Sequence, residues 1–442
     1  MKNIIKPSIL PGFMELLPAE QIAFNRILDI IRRNYERSGF IPMDTPIIEK
    51  TEILLAKGSE ETDKQIYRFT KGSSDLSLRF DLTVPFARYA AQHMPKLTFP
   101  FRRYQIGKVF RGERNQKGRY REFYQCDIDI ITNGELSIIN DAEIPSIMYS
   151  IFKEIGLSAF KIRINNRKIL NGLFNLFNIS DSADILRTID KLEKIGVDSV
   201  REELESKGID KATAERIIDF ISIDGTNKEI LDSLDKLDID NEEFQKGLKE
   251  LSEVVYYMEC FGVPESNYKI DLKIARGLDY YTGTVYETIL DDYPNIGSIC
   301  SGGRYDDLAA YYTKQKLQGV GMSIGLTRLF YQLTEIGLLK QNSSSTLTKV
   351  LVIPMDDNNN YAISMVNRLR KNGINSEVYF EEGKFSKKLS YANKLGIEYV
   401  IIIGEEEITS ELLTLKNMYT GEQCKLSVDD IIDKFKVIRS YS

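Results

Sequence analysis

One histidine, His93, and no tryptophan occur in 442 residues. A single imidazole excludes Ser-His-Asp, Cys-His and HExxH chemistry at once. The four cysteines, Cys126, Cys260, Cys300 and Cys424, stand apart with no CxxC pair, so no zinc site is expected and free thiols in a reducing compartment are. No stretch approaches the ~20 uninterrupted apolar residues of a membrane helix. The opening MKNIIKPSILPGF is broken by prolines and polar residues and does not read as a signal peptide. A cytoplasmic protein without membrane contact is expected. The formal net charge of −6 argues against a protein that coats nucleic acid non-specifically. Catalysis must therefore run on Arg, Asp, Glu, Gln, Tyr and backbone groups.

What is present divides the chain into several parts. Ala23, Phe24, Ile27, Leu28, Ile31 and Tyr35 recur at helical spacing after Pro18 and before Gly39, which predicts an amphipathic helix. Prolines 42 and 46 then suggest an edge strand. A helix is expected over 84–92, and two strands over 101–110 and 122–131, joined by a polar loop at 112–118. Two-residue alternation would put Gln125, Asp127 and Asp129 on one face. Residues 165–268 read as helical, and strand character returns at 269–275, 282–290, 297–301 and 320–324 before a helix at 326–336. After a polar linker at 341–346, strands at 350–353, 376–379 and 399–403 alternate with helices at 361–371 and 387–395. That pattern makes a small α/β domain with a largely parallel sheet.

Four segments carry chemistry. From Arg102 to Arg121 stand Arg102, Arg103, Lys108, Arg111, Arg114, Lys117, Arg119 and Arg121 against one acid, Glu113. Guanidinium groups held in a fixed array suit phosphate oxygens. The second segment, Arg276-Gly277-Leu278-Asp279-Tyr280-Tyr281, sets an arginine and two phenols at one rim. The third is Gly302-Gly303-Arg304-Tyr305-Asp306. The fourth, Gly319 to Arg328, places glycines at a strand-to-helix junction, where a flat ligand can approach the backbone.

Together these segments resemble the class II aminoacyl-tRNA synthetases, and within them the histidyl-tRNA synthetase family, over essentially the whole chain. Residues 110–121 are similar to that class's second motif, 319–328 to its third, and the helix and proline strand at 19–46 to its first. The resemblance implies an α+β catalytic core, an antiparallel sheet of about seven strands flanked by helices, in residues 1–165 and 262–338. It also implies a helical insertion at 166–261 and a C-terminal α/β anticodon-binding domain at 347–442. By the same resemblance Arg111 contacts the α-phosphate of ATP, Glu113 the adenine amino group, and Arg119 and Arg328 the outer phosphates. Asp81, Leu82, Thr83 and Gln125 would hold the α-amino end of L-histidine. Asp129 and Tyr281 would take one imidazole nitrogen each, with Tyr280 and Tyr305 lining the pocket. Arg276 would stabilise the transition state beside Arg111. Implied partners are ATP, Mg2+ carried on the outer phosphates, histidine tRNA and a second copy of the chain in a homodimer; no resident metal is implied.

Asp81 and Asp129 stand where some relatives carry glutamate, and Thr132 stands where glycine is expected. Two other readings stay open on sequence alone. One is a histidine-sensing regulatory subunit of ATP phosphoribosyltransferase, which as a class lacks the C-terminal domain and the catalytic arginine. The other is an RNA-binding or uncharged-tRNA-sensing module, which would have no reason to keep Arg111, Glu113, Arg276 and Arg328 together.

Overall fold

The computed structural model describes residues 4–439 except 57–59, 114–117, 180–181, 275–280, 294–296, 307–308, 340–343 and 356–357. It divides into two compact units, 1–14 with 27–336, and 15–26 with 337–442.

The strands of the first unit are β1 (Ile41–Pro42), β2 (Ile48–Lys50), β3 (Arg68–Lys71), β4 (Ser74–Leu78), β5 (Phe101–Phe110), β6 (Glu122–Asn133), β7 (Phe160–Asn166), β8 (Tyr268–Ile270), β9 (Thr284–Leu290), β10 (Cys300–Tyr305) and β11 (Leu317–Gly325). Eight of them form one sheet in the order β1-β5-β6-β11-β10-β9-β7-β8. Its body is antiparallel, as expected, but the end pairs β1·β5 and β7·β8 are parallel, so the sheet is mixed. β2, β4 and β3 make a small antiparallel sheet beside it in sequence.

The helix Ile139–Ile155 and β7 have no counterpart in the expectations above, nor have the short helices Thr51–Leu54 and Glu60–Gln65. The strand expected at 297–301 is shifted. β10 runs through the Gly-Gly-Arg-Tyr segment itself, because Gly302 and Gly303 pair with Tyr286 and Val285 on one side and Met322 and Gly321 on the other. Thr132 lies half-buried in regular strand opposite Gln318, a position a β-branched residue suits. The helical stretch begins at Arg167, where the Asn166 side chain caps the helix by accepting from Lys168 N–H at 3.0 Å.

The long helix Pro18–Arg37 ends as its sequence predicts. Gly39 has φ of +79° and the Phe40 amide reaches back to the Tyr35 carbonyl at 3.1 Å. Its later half lies on one face of the large sheet: Ile27, Ile31 and Tyr35 are buried, and the Tyr35 hydroxyl donates to the Cys126 carbonyl at 2.9 Å. The opposite face of that sheet is polar at its centre.

In the second unit, β12 (Val350–Pro354), β13 (Ser376–Val378) and β14 (Tyr399–Ile403) are parallel. An antiparallel pair, β15 (Leu413–Asn417) and β16 (Gln423–Leu426), extends them. The expected α/β pattern is present for the first three strands; the last two make the sheet mixed. The linker expected at 341–346 lies partly outside the described residues.

One buried ion pair ties the first unit's elements together. Arg304 donates from Nε and Nη2 to both carboxylate oxygens of Asp141, at 2.6–3.1 Å, and Thr284 donates to the same carboxylate at 2.7 Å. Arg304 Nη2 also reaches the Ser137 carbonyl at 3.1 Å. Asp141 and Arg304 are nearly inaccessible, so this pair joins the helix Ile139–Ile155 to β9 and β10. Arg304→Met leaves the Asp141 carboxylate buried without its cation, and is expected to lower unfolding free energy by roughly 3–5 kcal/mol. Urea denaturation followed by far-UV circular dichroism measures it, and a loss below 1 kcal/mol would contradict this role.

Candidate active site

The antiparallel register arranges the polar face in rows across the sheet. Arg103 (β5), Asp129 (β6), Gly321 (β11) and Gly303 (β10) are cross-strand neighbours; so are Gln105, Asp127, Ser323 and Ser301; so are Gly107, Gln125 and Gly325. Direct cross-strand neighbours share a face and lie within side-chain reach. Glycine recurs in the rows because large groups lie across it. A Cβ on Gly321 would fall inside the Asp129 carboxylate, and one on Gly303 would meet the Tyr281 ring at 2.9 Å.

An open cleft of about 310 Å³ lies over one end of these rows. Arg111, Glu113, Arg119, Gln125 and Arg328 all line it, together with Tyr120, Phe123 and Ser298 to Ser301. The loop between β5 and β6 and the start of the helix Leu326–Glu335 thus bring three arginines to one cavity. Arg111 is held by a hydrogen bond from Nε to the Phe80 carbonyl at 2.9 Å, and its guanidinium lies 5.2 Å from the centre of the Phe123 ring. Arg119 and Arg111 approach Glu113 at 3.5 and 4.0 Å. Arg328 donates to the Ser298 carbonyl at 3.0 Å.

The wider basic array of the sequence does not converge. Arg102 pairs with Glu143 at 2.7 Å and lies over Phe40, Lys108 pairs with Glu122 at 2.6 Å, and Arg121 donates to the Glu113 and Pro11 carbonyls. Strand alternation sends Arg102 and Lys108 to the face opposite Arg103. Arg114 and Lys117 lie outside the described residues.

Behind the cleft the rows become dry. Asp81, Arg103, Asp127, Asp129 and Tyr305 are all buried. Arg103 Nη2 is 2.5 Å from Asp129 Oδ2, an ion pair by distance but outside hydrogen-bond alignment, and its guanidinium sits 4.1 Å from the centre of the Phe86 ring. Tyr305 donates to Asp129 Oδ1 at 2.7 Å. Asp81 Oδ1 accepts from the Val84 amide at 3.1 Å, in the first turn of the helix Thr83–His93. Leu82 is fully buried and packs toward Gly107 of β5, so its side chain belongs to the core, while Thr83 is half-buried. Tyr281 packs against the cluster that includes Phe86 and Tyr305. Arg276 and Tyr280 lie outside the described residues.

Four acceptor atoms in this floor are buried without a hydrogen-bond partner: Asp81 Oδ2, Gln105 Oε1, Gln125 Oε1 and Asp127 Oδ1. The Arg103 nitrogens beside them are also without a hydrogen bond; buried polar groups are normally satisfied, so the cluster marks a place for a polar ligand, whose N–H donors the four oxygens would accept. Gln105, Asp127 and Ser323 belong to this floor although no role was expected of them, and Arg103, expected in the phosphate-binding array, is buried here against Asp129 instead. The alternation that places Gln125 and Asp129 on one face also places Asp127 there; the register that adds Gln105 and Ser323 is tertiary.

Burial pushes the Asp129 carboxyl up to about 7, against the pull of Arg103, and Asp81 up to about 6. A carboxyl with a raised folded pKa gives stability that is complete below its unfolded value, near 3.8, and is lost as pH climbs through about 7. Without ligand, the wild type should therefore lose melting temperature between about pH 5 and about pH 7.5. Asp129→Asn, which stays neutral, is expected to flatten that decline. Parallel curves in a thermal-melt series would place the titration elsewhere.

Comparison with known proteins bears on the family. A family model described as histidyl-tRNA synthetase matches residues 12–329, and one described as an anticodon binding domain matches 349–438. A curated histidine–tRNA ligase of Clostridium tetani is 63% identical, covering 98% of this chain and 99% of the relative. Another, of Clostridium acetobutylicum, is 54% identical over 98% of this chain and all of the relative. The crystal structure of a histidyl-tRNA synthetase from Nostoc matches with a TM-score of 0.90 and 42% identity, covering 98% of this chain and 99% of that one. A Bacillus halodurans structure titled as an ATP phosphoribosyltransferase regulatory subunit/histidyl-tRNA synthetase shares the fold, with a TM-score of 0.73, 22% identity, and coverage of 87% of this chain and 97% of that one. The full-length identities decide between these likenesses, and the chain belongs to the histidyl-tRNA synthetase family.

Proposed function

We propose that the chain activates L-histidine with ATP and transfers it to the 3′ end of histidine tRNA. The observation that carries this reading is the meeting of an arginine-lined cleft with a buried floor of unpaired oxygens. The cleft suits a polyphosphate and an adenine; the floor suits an ammonium group and a ring bearing nitrogen. The regulatory-subunit reading is disfavoured, because the relatives of 54–63% identity over full length are curated histidine–tRNA ligases.

In the first step the histidine carboxylate attacks the α-phosphorus of ATP. A new P–O bond forms, the α–β bridge breaks, and pyrophosphate leaves. Two anions must meet, so the demand is alignment and charge neutralisation rather than proton transfer. Arg111 and Arg276 are assigned to the α-phosphoryl group, Arg119 and Arg328 to the outer phosphates, and Glu113 to the adenine amino group. Asp81, Thr83 and Gln125 take the substrate's ammonium, with Leu82 setting the backbone between them. Asp129 and Tyr281 take the imidazole, beside Tyr280 and Tyr305. A side chain without ring nitrogens would leave those buried polar groups unpaired, which is the strongest form of discrimination available to such a pocket.

Mg2+ would enter with the nucleotide and neutralise charge on its outer phosphates. In the second step the terminal ribose hydroxyl of tRNA attacks the histidyl carbonyl and AMP leaves. The core is assigned to 1–165 and 262–338, the helical insertion to 166–261, and anticodon binding to 347–442. Of three lysines near one helix start, Lys388 donates to the Pro354 carbonyl at 3.0 Å, which leaves the exposed Lys384 and Lys387 for RNA. No helix among the described residues is long and apolar enough to cross a membrane, and the cytoplasm is the proposed site of action.

A homodimer is proposed because β1 is the edge of the large sheet and Ile41, Ile47 and Ile48 are exposed on and beside it. Light scattering at micromolar concentration should return twice the chain mass, and a monomer would refute this. Amino-acid-dependent ATP–pyrophosphate exchange, run with all twenty amino acids, should proceed with histidine alone. Arg276→Ala should lower it by about 10²–10³-fold. Histidine binding without exchange in the wild type would restore the regulatory reading.

A further inference from the structure

Resting on the reading that this floor receives L-histidine, we propose that Asp127 and Ser323 are positioning residues that lock the Gln125 amide with its oxygen toward the substrate's α-ammonium. Gln125 Nε2 donates to Ser323 Oγ at 2.9 Å. Ser323 stands directly opposite Asp127 in the β6·β11 register, with the buried Asp127 carboxyl in reach of its hydroxyl. A serine hydroxyl carries one hydrogen, whereas a carboxylate only accepts. A serine that turns its hydrogen to Asp127 can only accept from its other neighbour, and the amide must then turn its NH₂ toward the serine, as it does. Its carbonyl oxygen is thereby the end left without a partner, as are Asp81 Oδ2 and Asp127 Oδ1.

The alternative orientation would be self-defeating. A flipped amide would present donors to an ammonium that is itself all donors. An amide has nearly the same shape either way round, so packing alone fixes no orientation; the hydrogen-bond chain does. Asp127 also contributes charge. Arg103 is in ion-pair contact with Asp129, and Asp127 Oδ1 keeps no hydrogen-bond partner. Three buried acceptors, Asp81 Oδ2, Gln125 Oε1 and Asp127 Oδ1, match the three N–H donors of a primary ammonium.

The consequence is separable from general damage by comparing two ligands. L-histidine carries the ammonium; 3-(imidazol-4-yl)propionate keeps the ring and carboxylate but lacks it. Both are titrated calorimetrically, to millimolar concentration, into full-length wild type, Asp127→Asn, Ser323→Ala and the double variant. An asparagine at 127 can donate to the serine oxygen and release the lock, and alanine at 323 removes the link. Each single variant is expected to weaken histidine about tenfold or more while changing the deamino ligand less than about threefold. The double variant should lose no more than either single one, as residues in one chain of bonds do. Equal weakening of both ligands, or no weakening of histidine, would overturn the proposal. If Ser323→Ala fails to fold, the isosteric Asp127→Asn still decides. A wild type that binds no histidine overturns the underlying reading instead, and the wild-type titration alone distinguishes that case.

Discussion

A guanidinium with no water around it must have a carboxylate or a stacking partner, and Arg103 has both. It lies between the Asp129 carboxylate and the Phe86 ring, with no accessible surface of its own. This requirement fixes much of the first unit. It holds β5 to β6 in the register that pairs Arg103 with Asp129, and it holds the helix Thr83–His93, which carries Phe86, over that pair. Because that helix follows Asp81 directly, the same contact sets Asp81 beside the rows of β6. Gly321 is small because Asp129 lies over it, so the constraint passes on to β11.

The floor that results sets unpaired acceptors beside the Arg103 guanidinium, and two kinds of arginine serve it differently. Arg103 and Arg79 are sealed in and act on the protein: Arg79 ties the Thr45 and Lys108 carbonyls together. Arg111, Arg119 and Arg328 stand at the open cleft with surface left for a ligand. The division suits a reaction in which the amino acid must be read in a dry pocket while the nucleotide enters from solvent. Desolvation strengthens discrimination at the first site because an unpaired group there has no water to fall back on. It also lifts Asp81 and Asp129 toward neutrality when nothing is bound, which eases the burden of three neighbouring acids in the empty protein.

Much of this was legible in the residues, and the limits have physical causes. Helical spacing and Gly39 located the helix Pro18–Arg37; alternation located β5 and β6 and put Gln125 and Asp129 on one face. The same alternation separates Arg102 and Lys108 from Arg103, and reading the basic run as a single phosphate clamp ignored it. β7 and the helix Ile139–Ile155 were missed; both are buried elements, where periodicity against solvent is weak. Arg304 sits in a segment that looks functional beside Tyr305, yet its partner is Asp141, 163 residues away in sequence, and only tertiary structure shows that it is a strut. Ser323 carried no signal of its own. Its place opposite Asp127 depends on how β6 and β11 align, which the resemblance to a family of synthetases does not supply.

The central claim is that the orphaned oxygens of the floor are the seat of the substrate's ammonium. A crystal structure of the full chain with L-histidine, free of nucleotide, tests it most directly. The account predicts the α-nitrogen within about 3.2 Å of Asp81 Oδ2 and Gln125 Oε1, with the imidazole directed toward Asp129 and Tyr281. Histidine seated in the open cleft among Arg111, Arg119 and Arg328, with those oxygens still unpaired or bound only to water, would contradict it.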